Sequence, residues 1–264
     1  MNATEVSSNN NNISRRLTMS SSEVLNPVAV ILGLIKCKDW RRFRTLIAVS
    51  SPDCFRDMAS SISTYSEQKL NSMTLLHVVV RDNPPLDIVG NIIKICPELA
   101  AARDDLGRTP LHIAAGSEAS PLLLKFIACS YPAACDTQDE DGKTPLHFVC
   151  DTSFGHITEV GPSFTPNHQT SPKHEAIVAL LSESLNAAAI EDDDGMSPLE
   201  HAIMCEASLE TVRLLQASAR ESLKSRVQSV SPIPGTNERR RASDAFEVVT
   251  NCSENLQGMH IKKN

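Results

Sequence analysis

The chain has 264 residues and a formal net charge of −7, with 41% hydrophobic but only 4% aromatic residues. That is enough apolar material for a folded interior, and its acidic balance counts against nucleic acid as the main partner, because phosphate binding needs clustered Lys and Arg. The eight cysteines form no Cys-x-x-Cys pair, so they are expected as reduced core residues of a cytoplasmic, or alternatively nuclear, protein.

Residues 1–26 are expected to form a disordered N-terminal tail, being rich in Ser and Asn with no apolar run of the secretory kind. Arg15-Arg16-Leu17-Thr18 places two arginines ahead of a hydroxyl there. The apolar run from Val28 to Ile35 falls far short of the ~20 residues that span a bilayer, so no membrane partner is expected and the run predicts a buried helix. With Trp40, Phe43, Leu46 and Ile47 it predicts a degenerate helix pair, followed near residues 54–71 by an insertion that lengthens a hairpin.

Beyond that point one phrase recurs. "GRTPLHIAA" at residues 107–115 is followed 35 residues later by "GKTPLHFVC" at 142–150. Stepping back by the same interval from Thr109 gives Thr74 in "MTLLHVV", and 53 residues beyond Thr144 lies Ser197 in "GMSPLEHAI". The register extends upstream, where Pro97 lies over Pro132, Asp104 over Asp139 and Gly107 over Gly142. Each unit predicts a tight Asp-x-x-Gly turn, glycine supplying the positive φ. A helix capped by Thr and started by Pro follows. A second helix comes next, as in Leu122, Leu123, Phe126 and Ile127. Ser120-Pro121 and Ser171-Pro172 mark second-helix starts. Neither helix can bury its apolar face alone, so the units must stack.

These residues resemble the ankyrin-repeat family, whose T-P-L-H-x-A signature is matched fully by "TPLHIA" at 109–114, nearly by "TPLHFV" at 144–149, and partly by "TLLHVV" and "SPLEHA". The resemblance implies an all-α, ankyrin-type solenoid of stacked helix pairs with short β-hairpin or turn fingers and disordered tails. The solenoid would run over 27–227, with a degenerate unit at 27–72 and repeats near 73–107, 108–142, 143–195 and 196–227. An inserted loop at 151–170 interrupts the third repeat, and 228–264 forms a C-terminal tail. Leu223, Val227 and Val230 are expected to continue a helical face that caps the last repeat. The resemblance also implies that His77, His112 and His147 tie each helix to the neighbouring hairpin, and that the last unit, with Glu200 in the histidine place, docks more loosely.

In this family partners meet the finger tips and the inner face of the first helices. By position that names Asp105, Leu106, Arg108 and Ser117, then Glu140, Asp141, Lys143, Asp151 and Thr152, then Asp193, Asp194, Met196 and Met204. The function this implies is non-catalytic: a scaffold or adaptor that binds another protein, one with a basic surface where the acidic tips make the contact. No cofactor, metal or catalytic residue is expected. Two alternatives stand beside this reading. Arg15-Arg16-Leu17-Thr18 and Arg240-Arg241-Ala242-Ser243 resemble basophilic-kinase substrates, so Thr18 and Ser243 are candidate phosphorylation sites and the tails could carry the function. His147, Cys150, His156, His168 and His174 crowd four of the eight histidines into residues 147–174, which suggests a metal-binding or enzymatic role.

Overall fold

The computed structural model describes residues 26–64, 72–151 and 173–229. The chain divides into two compact units, 1–223 and 224–264, and of the second only the end of the last helix, residues 224–229, is described. All regular structure among the described residues is helical. Three helices come first: α1 (Pro27–Lys36), α2 (Trp40–Val49) and α3 (Pro52–Ser61). Each starts at a polar cap: the side chains of Asn26, Asp39 and Ser51 accept the backbone N–H groups of Val28, Arg42 and Cys54.

Helix α3 corrects an expectation, since residues 52–61 do not lengthen a hairpin. Ser51-Pro52 caps and starts a helix whose Phe55, Ala59 and Ile62 face the core. Residues 65–71 lie outside the described residues.

Four helix pairs follow: α4 (Leu75–Val80) with α5 (Leu86–Ile95), α6 (Pro110–Gly116) with α7 (Pro121–Ser130), α8 (Pro145–Cys150) with α9 (His174–Leu181), and α10 (Pro198–Met204) with α11 (Leu209–Ser229). The short first helices pack in order, α4 on α6, α6 on α8 and α8 on α10, while α5, α7 and α9 pack side by side as a second layer. One continuous apolar core fills the space between the layers, with Leu76, Val79, Ile88, Ile92, Leu111, Ile113, Leu123, Ile127 and Leu146 all fully enclosed. The first helices are too short to persist alone; burial on both flanks holds them.

The insertion leaves this arrangement in register. Helix α9 starts at His174 with Lys173 as its N-cap, two residues later than the Ser171-Pro172 signal, which lies outside the described residues. Lys173 Nζ reaches Glu118 Oε2 (2.7 Å) in the α6–α7 turn, tying the start of α9 to the preceding unit. The inter-helix turns share a feature that the residue types do not advertise: Asn83, Glu118 and Glu206 occupy one repeat position and all have left-handed φ, at 49°, 53° and 55°.

Between pairs the chain forms three five-residue turns, 104–108, 139–143 and 192–196. In the first, Asp104 N–H donates to Arg108 O (3.0 Å), and Asp104 Oδ1 accepts the N–H groups of Leu106 and Arg108. Asp139 and Asp192 repeat the pattern. Adjacent turns are joined laterally, Glu140 N–H to Leu106 O (3.0 Å) and Asp193 N–H to Asp141 O (3.1 Å). The fingers are therefore turns and not β-hairpins: each holds only two short-range backbone bonds, the aspartate N–H to the residue four on and the glycine N–H back to the aspartate, the segment ahead coils into a 3-10 turn (Pro97–Ala100, Pro132–Asp136, Asn186–Ala189), and no strand forms among the described residues.

Helix α11 runs to Ser229, past the expected tail boundary at 228. Its inward face is Thr211, Leu215, Ser218 and Ser222, and not the expected apolar row: Val227 is 71% exposed, Leu223 is exposed too, and Val230 lies outside the described residues.

The turns separate two glycines that look equivalent in sequence. Gly142 and Gly195 have φ of 74° and 75°, yet a Cβ on Gly142 would lie 2.6 Å from Asp193 N, while nothing lies within 4 Å of one on Gly195. Gly195→Ala is expected to cost about 1 kcal/mol, from the positive φ alone. Gly142→Ala is expected to cost about 2–4 kcal/mol, because the neighbouring turn must also move. Urea denaturation of the two variants checks the difference.

Candidate functional site

Threonine and histidine in the recurring phrase act together. Thr74, Thr109 and Thr144 are the N-caps of α4, α6 and α8, in reciprocal capping boxes with the histidine three residues on. His77, His112 and His147 accept the threonine backbone N–H at Nδ1 (3.2, 3.0 and 3.0 Å). An Nδ1 that accepts carries no proton, so Nε2 holds it and donates to a carbonyl of the next turn. The acceptors are Arg108 O (2.9 Å), Lys143 O (3.1 Å) and Met196 O (3.1 Å). Each imidazole thus caps its own helix and bonds the following unit.

Burial favours the uncharged ring at all three sites. Desolvation holds His77 below the ordinary imidazole range, His112 at about 3 and His147 at about 4. Protonation would also turn Nδ1 into a second donor facing the threonine N–H.

Both nitrogens of His147 are committed in this way, which removes it from the proposed His/Cys cluster. Cys150 is fully enclosed, and burial pushes its thiol well above the usual range, as it pushes Cys135 up to about 12. His174 Nδ1 lies 3.1 Å from Thr211 Oγ1 on α11. His156 and His168 lie outside the described residues, among which no three His, Cys, Asp or Glu side chains are grouped to hold a metal.

The last unit is built differently. Glu200 takes the capping role of histidine, accepting the Ser197 N–H (2.6 Å) and hydroxyl (2.8 Å) at Oε2. It has no arm toward a further unit. The adjacent His201 is buried, with Nε2 2.8 Å from Asp192 Oδ2 and Nδ1 3.4 Å from Asp151 Oδ2. Lys143 Nζ lies 3.5 Å from the same Asp151 oxygen. Burial alone would raise the Asp192 carboxyl, but the bonds from His201 and the Met196 N–H outweigh it and leave it below its ordinary value. The turn aspartates are thus handled in three ways. Asp104 pairs with its own Arg108 (Nη2–Oδ2 2.7 Å) and Asp192 with His201, while the Asp139 carboxyl is pushed up by burial.

The candidate partner-contacting residues divide accordingly. Asp105, Leu106, Glu140, Asp141, Asp193 and Asp194 are exposed along the three bonded turns, Leu106 at 42%, and Met204 stands out at 71% at the end of α10. Ser117, Lys143 and Met196 are half-buried, and Ser117 Oγ is enclosed without a hydrogen-bond partner. Two residues are corrected. Arg108 and Asp151 are buried and held in ion pairs, so neither presents its charge to a partner. Position within the repeat, which named Arg108, does not show that Asp104, four residues earlier in the same turn, takes up its charge. Thr152, the 152–170 part of the insertion, Thr18, Ser243 and both tails as far as residues 25 and 230 lie outside the described residues.

No helix among the described residues is long and apolar enough to cross a membrane.

The histidines give stability a defined pH dependence. Their folded-state pKa values lie below the unfolded value near 6.5, so the unfolded chain binds more protons between these limits. Their contribution to stability is complete above about pH 6.5 and is lost as pH drops toward about 3. His112→Gln is expected to lose about 2 kcal/mol at pH 7, keeping the cap but not the bond to Lys143. Its stability should then fall more gently on acidification, by about one proton or ~1.4 kcal/mol per pH unit. Urea unfolding at successive pH values from 7 to 4 measures both.

No protein-family model matches the chain, and no curated protein matches it.

Proposed function

We propose that the chain is an ankyrin-repeat protein and a non-catalytic protein-binding module, a scaffold or adaptor whose partner meets the turn tips and the exposed end of α10. Three observations support the family reading: the Thr-Pro-Leu-His phrases start the short helices, their histidines bond the next unit, and the pairs stack in two layers. The observation that carries the function is the lateral bonding of the turns, Glu140 to Leu106 and Asp193 to Asp141. It makes Asp105, Leu106, Glu140, Asp141, Asp193 and Asp194 one ordered row, so a partner binds without the cost of ordering it.

The row is acidic with an apolar residue at one end, which suits a basic protein surface. All seven cysteines among the described residues are free thiols, in keeping with a reducing compartment, and we place the protein in the cytoplasm.

The test is affinity capture with the full chain at moderate salt, followed by binding of the retained protein to Asp193→Lys/Asp194→Lys. Binding should weaken about tenfold or more, with the melting temperature within ~2 °C of the parent. Unchanged binding by this variant and by Glu140→Lys/Asp141→Lys would sink the proposal, as would retention only by residues 1–25 or 230–264.

A further inference from the structure

We propose, resting on the reading of the turn row as a docking surface, that the basic surface it takes is the α1–α2 corner of a second copy of this chain. The copies then associate head to tail.

The corner is built where first helices end. Lys36 closes α1, Lys38 lies in the turn, and Arg41 and Arg42 stand in the first turn of α2. Lys38 has the left-handed φ of the other inter-helix turns, 51°. Its Nζ lies 3.3 Å from Asp82 Oδ1, next to Arg81 at the end of α4. Five cations thus share the corner with two carboxylates, Asp39 set against Arg42 (3.4 Å) and Asp82 against Lys38. Lys36 and Arg41 are exposed and enter no ion pair among the described residues.

This edge is as ordered as the row of turns. Side chains join its successive inter-helix turns: Lys38 to Asp82, Asn83 Oδ1 to the Ser120 N–H (3.1 Å), and Lys173 to Glu118 (2.7 Å). Asp105, Glu140, Asp141, Asp193 and Asp194 are exposed on turns that precede first helices, whereas the corner lies where α1 and α4 end. A helix of six or seven residues, about 10 Å long, separates those two edges. No ion pair joins the two patches among the described residues, so their charges are left to be matched by another molecule. A second copy offers each patch its opposite in charge, already ordered. Because the patches lie on opposite edges, two chains engage one corner and one row and leave the other corner and row free. Association therefore continues past two chains.

Sedimentation velocity of the full chain at rising protein concentration, in about 0.1 M and about 1 M salt, tests this. The lower salt screens the net repulsion between chains of charge −7 beyond ~10 Å and spares facing pairs, which the higher salt screens as well. The weight-average mass should rise past two chains at the lower salt and stay near one at the higher. Lys36→Gln/Arg41→Gln/Arg42→Gln should weaken self-association about tenfold or more. So should Asp105→Asn/Glu140→Gln/Asp193→Asn, which removes one acid from each turn. All six positions are exposed, so the fold should be kept. In an equimolar mixture the intact row of the first variant meets the intact corner of the second, and the mass should rise to two chains and stop. A parent at the mass of one chain at the lower salt overturns this proposal and leaves the row to a different basic protein. A parent that levels off at two chains, a row variant that associates like the parent, or a mixture no heavier than its components also overturns it. The parent's response to salt is read without any variant.

Discussion

The stack depends on an imidazole used from both sides. A first helix of six or seven residues has too few internal bonds to exist alone, and its start leaves backbone donors unmet. Histidine at the third helical position meets one of them through Nδ1 and turns Nε2–H toward the next turn, 31 residues away for His77 and His112. One side chain thus couples local helix formation to the docking of the following unit. Because the ring is buried and must stay neutral, coupling and acid sensitivity have a common origin. The turns then gain their spacing from the helices beneath them, and the bonds between turns follow.

Against this regularity, the aspartate that opens each turn is a recurring cost. Its carboxylate is needed to bind the turn's own N–H groups, and stacking then removes it from water. Arg108 offsets that cost locally. In the next turn the residue in that place is Lys143, which reaches across to Asp151. In the last turn it is Met196, and His201 serves in its stead. The repeats are alike in backbone and unlike in electrostatics, so single-residue changes at one register position will not have equal effects along the chain.

Much of the fold was legible in the residues because its signals are local. A threonine before proline, a glycine three residues after an aspartate and a 35-residue interval place the first helices and turns without reference to contacts. Helix α3 was equally legible: Ser51-Pro52 is the same start signal as Ser120-Pro121, and Phe55, Ala59 and Ile62 keep helical spacing. The proposed binding surface was only partly so. Asp105, Glu140, Asp141, Asp193 and Asp194 lie exposed as their polarity suggests, whereas Arg108 and Asp151 look like surface charges until their partners are located. Asp151 and His201 are brought together only by the packing of α8 against α10, across an insertion that hides their relation in the sequence. Nor does composition betray the exposure of Leu223 and Val227, since helical spacing gives a face but not which way it points.

Glu200 has a consequence for how such a chain can lengthen. A unit duplicated within the array, for instance a second copy of residues 108–142, would find a histidine ahead of it to bond its turn and would offer its own histidine to the turn behind. Growth by internal duplication therefore asks for no compensating change. A unit appended after α11 would meet Glu200, which points back to its own serine and has nothing to offer. The histidine link is thus ready at any internal seam, whereas a unit docked against α10 would need a different link, a grammar written in one residue.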